Sequence, residues 1–221
     1  MNPNRIILLV LLLLALANQK TTAQVYLEEV NGRPIRINQY VNVEGSPYLL
    51  DNWSKGTMTL TDGSKYKDIE LKYDMVEGIL LVKNKHGVVL EPLLPASEFS
   101  LEDPFAKRVF INGSTLEKDL SKNPYLEVLS TGKVDLLKRN YKVIREEKAY
   151  NSASITKRFV ELSTYFIKKG DKLIKVKNDA KSVLAVLGTN QDVLKEYISA
   201  NKLNLKEDED LVKLFAFYST L

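Results

Sequence analysis

The chain has 221 residues, with 32 Lys and Arg against 28 Asp and Glu, one His and no Cys. Without Cys there is no disulfide framework, no thiolate metal site and no attachment point for a lipoprotein anchor. Arg5 and Lys20 fall in the leader identified below, so the remaining chain carries 30 basic against 28 acidic side chains, a balance that implies no nucleic-acid partner.

Residues 1–23 read as a secretory signal peptide. Arg5 supplies the positive start, residues 6–17 form a leucine-dominated apolar block, and Thr21-Thr22-Ala23 places small residues where a signal peptidase reads. Gln24 is the expected mature N-terminus, with cleavage after Ala17 as the competing site. The apolar block falls short of the roughly 20 residues needed to span a bilayer. The protein is therefore expected to be exported, periplasmic or extracellular, with no transmembrane segment after cleavage. The expected division is a signal peptide over 1–23, an antiparallel β-rich domain over 24–178 and a helical segment over 179–221 packed on it.

Residues 34–37 and 40–43 are short strand candidates, with Asn31-Gly32 as a turn before them. The densest pattern follows at 46–94. Thr57-Met58-Thr59-Leu60 alternates as a half-buried strand does. Asp62-Gly63 then signals a hairpin, and the step of three from Tyr66 to Ile69 predicts a bulge near Asp68. Ile79-Leu80-Leu81-Val82 is continuously apolar, as expected of a strand covered on both faces. Residues 84–87 form the next turn, and Pro92 and Pro95 are expected to end the ladder. Trp53-Ser54-Lys55-Gly56 followed by Asp62-Gly63 resembles one MORN-type hairpin repeat, but no second copy recurs at a fixed period.

Residues 96–124 are the least regular, with Asp103-Pro104, Asn112-Gly113 and Asn123-Pro124 as turns and one short strand expected over 108–111. Residues 125–137 and 165–176 each read as a hairpin. Between them, 138–147 is a charged strand candidate with Tyr141 and Val143 on one side, 149–156 is an expected loop, and 157–164 leads back into strand. Near Asn178 the apolar period changes to that of a helix. Val183, Leu184, Val186 and Leu187 form one stripe, stopped by Gly188. Val193, Leu194, Tyr197 and Ile198 form a second, ended by Asn201, and Leu211, Leu214, Phe215 and Tyr218 a third behind the acidic start at 207–210. The fold class expected is α+β, an antiparallel sheet that is sandwich-like or a partly closed barrel, followed by two or three short helices.

Gly45-x-Pro47-Tyr48-Leu49 with Trp53-x-x-Gly56 resembles a family of uncharacterised secreted proteins from Gram-negative bacteria. The ending resembles it too, from Lys181-Ser182-Val183-Leu184 through Tyr197-Ile198 and Asn201-Lys202-Leu203 to Asp210-Leu211 and Tyr218. The resemblance implies export and brings no activity with it.

Catalytic signatures are sparse. His86 sits in a turn, Gly-x-Ser-x-Gly is absent, and neither phosphate-binding glycine motif occurs. No metal or other cofactor is expected. Paired carboxylates drawn from Asp51, Asp62, Asp68 and Asp74 are the remaining route to hydrolysis, although Asp62 and Asp68 suit turn and bulge roles. Trp53, Tyr48 and Tyr66 are candidates for an apolar or sugar-binding surface, against a reading as sheet packing. Residues 133–181 hold 14 basic and 6 acidic side chains. Lys168, Lys169, Lys172, Lys175 and Lys177 are candidates there for a cationic stripe that meets lipopolysaccharide or an acidic partner, against a reading as solvated edge guards. The expectation is a non-enzymatic envelope protein that binds an envelope component or protein partner. A carrier with an apolar cavity lined by Tyr48, Met58, Leu71 and Leu80 is one alternative, and a carboxylate hydrolase the other.

Overall fold

The computed structural model describes residues 29–35, 39–103, 106–148 and 155–221. The expected leader, the Arg36-Ile37 part of the first strand candidate and most of the 149–156 loop lie outside them. Twelve strands are described: β1 (Gly32–Pro34), β2 (Val43–Glu44), β3 (Ser54–Leu60), β4 (Lys65–Asp74), β5 (Ile79–Lys83), β6 (Val89–Pro92), β7 (Ala96–Glu102), β8 (Lys107–Asn112), β9 (Tyr125–Ser130), β10 (Asp135–Lys148), β11 (Ile155–Lys169) and β12 (Lys172–Val176). They form one open sheet in the order β1-β6-β5-β4-β3-β7-β8-β9-β10-β11-β12. Every pairing along it is antiparallel except that of β2, which joins β11 in parallel. Three helices follow, α1 (Ala180–Leu187), α2 (Gln191–Ala200) and α3 (Asp208–Thr220). The fold is α+β, a sandwich-like open sheet completed by C-terminal helices.

The hairpin signals fold as they read. The Asp62 carboxylate accepts from the Ser64 amide at 2.9 Å, and Gly63 takes the positive φ the turn needs. Asp68, at φ +54°, is the extra residue where the β3–β4 register slips from Gly56↔Ile69 to Thr57↔Lys67. Gly56 is pressed so closely on β7 that a Cβ there would meet the Ser100 carbonyl at 1.9 Å, which accounts for glycine in Trp53-x-x-Gly56.

Three expectations need correction. Pro92 and Pro95 do not end the ladder: β7 starts directly after Pro95 and becomes a central strand between β3 and β8. Its buried Phe99 and Leu101 alternate, but a register shift at Thr59/Leu60 hides the period. Gly32 belongs to β1 rather than to a turn, because its missing side chain lets the strand lie against Glu91. Val193 is exposed, since the buried side of α2 is narrow and centred on Leu194.

The same side of the sheet carries two cores. Met58, Tyr73, Phe99, Phe110 and Tyr125 fill the first, with Phe99 and Phe110 stacked at 4.7 Å. Leu136, Ile167 and Val176 meet Val183, Leu187, Leu194, Leu214 and Phe215 of the helices in the second. Between them a polar ladder crosses four strands. Arg108 donates to both oxygens of Glu127 at 2.7 Å, Asn140 donates to Glu127 at 2.9 Å, and Ser163 donates to Asn140 at 2.9 Å. The β4–β5 turn also reaches β10, where the Lys142 amide donates to the Met75 carbonyl at 2.9 Å.

Candidate functional site

Strand alternation divides the candidate aromatic residues. Tyr66 pairs with Met58 in register and is only 3% exposed, within the first core. Tyr48 and Trp53 lie on the opposite face of the sheet, packed with Leu81, Val89, Ile35 and Ile79. Tyr66 is therefore core and takes no part in a surface with them. The proposed cavity fails for the same reason: Met58, Leu71 and Leu80 are buried in the first core, while Tyr48 is on the other side of the sheet.

What gathers beside Trp53 is a pair of lysines that sequence reasoning missed. Glu70 and Lys72 on β4 face the same way as Leu81 and Lys83 on β5, because Lys72 pairs with Leu81 and Glu70 with Lys83. The Lys72 ammonium stands 4.5 Å from the Tyr48 ring centroid and 5.6 Å from that of Trp53. The Lys83 ammonium stands 4.8 Å from the Trp53 centroid and 2.8 Å from the Glu70 carboxylate. Electron-rich ring faces attract such cations. Burial pulls the Lys72 pKa below its ordinary value; the Asp51 carboxylate opposes that shift, and neighbouring Lys83 adds to it. An anion seated between the two ammonium groups would relieve this repulsion, with Trp53 as an apolar wall. The signal available in sequence was the alternation Glu70-x-Lys72 facing Leu81-x-Lys83, legible only once the register of the two strands is known.

No protein-family model, curated protein or solved structure matches this chain.

The other candidates are dispersed. Lys175 pairs with Phe166 and shares its face of the sheet, whereas Lys172 projects from the opposite face of β12 and Lys177 lies just past the strand end. Lys175 and Lys177 line one open surface with Lys181, and Lys172 has no part in it. His86 is an exposed turn residue whose amide donates to Asn84 at 3.0 Å. Asp74 is 1% exposed and accepts from the Tyr40 hydroxyl at 2.7 Å and from the Val76 and Glu77 amides at 2.8 and 3.1 Å. It shapes the β4–β5 turn. Asp62 holds its hairpin, and Asp68 takes the positive φ of the bulge. Among the described residues, no three His, Cys, Asp or Glu side chains gather as a metal site would require, and no helix is long and apolar enough to cross a membrane.

Proposed function

We propose that this is an exported, non-enzymatic protein of the cell envelope whose Trp53 face binds an anionic glycan. The observation that carries the reading is the pair of ammonium groups, Lys72 and Lys83, held against one indole on the outer face of the sheet. A phosphorylated or carboxylated sugar offers the matching parts, a compact anion for the lysines and an apolar ring face for the indole. Export is supported by the leader pattern at 1–23. A binding role, rather than hydrolysis, is supported by the carboxylates at 62 and 74, which accept hydrogen bonds within two turns.

Trp53 is the only Trp in the chain, so its fluorescence reports on this face alone. Titration with phosphorylated lipopolysaccharide and with a uronic-acid polysaccharide should shift the emission, and neutral dextran should leave it unchanged. Lys72→Gln and Lys83→Gln should each weaken the response severalfold, as should added salt. A response to lipopolysaccharide alone assigns the ligand to the lipid headgroup. An equal response to dextran, or none to either polyanion, sinks the proposal.

A further inference from the structure

Among the described residues the sheet leaves several stretches of open edge, and three of them differ in what they offer. β1 is three residues long and ends in Pro34, which has no amide to offer. β12 is five residues long and carries Lys172 and Lys175. The third is the outer edge of β10. This strand pairs with β11 along its whole length, but with β9 only at residues 136–138. Beyond the Lys142–Met75 hydrogen bond, and among the described residues, nothing pairs with β10 on that side.

The directions of the free amides follow from the ladder. Along an antiparallel strand, alternate residues turn their amides toward the same neighbour. The Lys142 amide points away from β11 toward Met75, and the β10–β11 register runs unbroken to Lys148, so the amides of Ile144, Glu146 and Lys148 also point outward. Residues 144–148 are all exposed. They offer about 17 Å of unpaired strand at about 3.4 Å per residue.

At the base of this edge lies an open cleft of about 410 Å³, lined by residues that include Val76, Lys122, Asn123, Arg139, Tyr141 and Ile144. Its basic side chains are Lys122, Arg139 and Lys142, against the single carboxylate of Asp119. The Lys142 ammonium is itself held by the Ser46 and Tyr48 carbonyls at 3.0 and 2.7 Å. The Arg139 guanidinium lies 4.8 Å from the Tyr141 ring and donates to the Asp119 carbonyl at 3.3 Å. Two cleft residues carry buried polar atoms with no partner, the Asn123 side-chain oxygen and Arg139 Nε, and Asn123 is only 6% exposed. One is an acceptor and the other a donor.

We propose that the outer edge of β10 is a docking site for an extended peptide, which adds a strand along 144–148 and places an acidic side chain in the cleft. A peptide main chain supplies amides and carbonyls in the alternation the edge lacks. The carboxylate answers the excess of positive charge in the cleft. This surface is separate from the Trp53 face and stands or falls independently of it.

The probe is a labelled octapeptide of alternating Thr and Val with one central Glu, acetylated and amidated, with binding read by anisotropy on the full chain. The unmodified peptide should bind and should slow amide exchange at Ile144 and Glu146. Methylating its alternate amides should weaken binding about tenfold or more, because the methylated strand can no longer pair. Replacing its Glu by Gln should weaken binding severalfold, as should Lys122→Gln. Glu146→Pro, which removes an outward amide from an exposed edge, should match the methylated peptide. No binding at millimolar peptide overturns the proposal, as does equal binding of the methylated form. A dimer in sedimentation that Glu146→Pro dissolves also overturns it, since the edge would then serve a second copy of the chain.

Discussion

Asp74 shows how one buried carboxylate can be structural rather than reactive. It takes three donors, two of them amides of the turn it begins, and the third is a tyrosine hydroxyl from before β2. Burial first, and then the hydrogen bond to Asp74, push the Tyr40 pKa well above its ordinary value, so this hydroxyl stays a donor at any physiological pH. Asp74→Ala would leave buried donors unpaired, at about 1–3 kcal/mol per stranded group. Its thermal midpoint should fall by several degrees, and that of Asp74→Asn by less, because an amide oxygen can still accept from the turn. A midpoint unchanged in Asp74→Ala would show that water replaces the carboxylate without loss.

At the scale of elements, α3 is held to the sheet by both packing and charge. Leu211, Leu214 and Phe215 are buried in the second core. At the start of the helix Asp208 accepts from the Lys138 ammonium at 2.6 Å and from the Tyr165 hydroxyl at 2.8 Å. Burial alone would lower the Lys138 pKa, but the hydrogen bond and charge of Asp208 outweigh it and hold the group above its ordinary value. The Tyr165 pKa is raised as well, by burial first and then by Asp208. For both groups the folded pKa lies above the unfolded one, so the folded state binds more protons once the unfolded chain begins to lose them. Their contribution is fully present below about pH 10 and is lost as pH rises through the folded pKa values. Chemical denaturation followed by helical ellipticity should show stability falling through that alkaline range. Asp208→Asn should flatten the slope, and a slope that persists in Asp208→Asn would place its origin elsewhere.

At the scale of the whole molecule, two cores on one sheet are joined across the ladder Arg108–Glu127–Asn140–Ser163. Breaking a buried, doubly hydrogen-bonded ion pair costs about 3–5 kcal/mol. Trp53 fluorescence reports the β3–β6 half and helical ellipticity the other, so in the native chain the two melts should coincide. In Glu127→Ala they should separate; coincident melts there would mean that the shared strands alone couple the halves. Much of this architecture is legible in local runs of residues. The 58/60 alternation, Asp62-Gly63, the 66-to-69 step at Asp68 and the three helical stripes are local patterns, and local patterns fix a strand, a turn, a bulge or a helix face without knowledge of partners. The rest depended on register and on distant strands. β7 shows no clean period because it carries an extra residue, Ser97, opposite the Thr59–Leu60 step of β3. Tyr66 parts from Tyr48 and Trp53 because facing is set by pairing, not by residue type. Lys72 and Lys83 meet one indole, and β10 is left with an open edge, only because β4 pairs with β5 and β9 stops short. Those are consequences of which strand ends beside which, and that is decided by the packing of the whole chain.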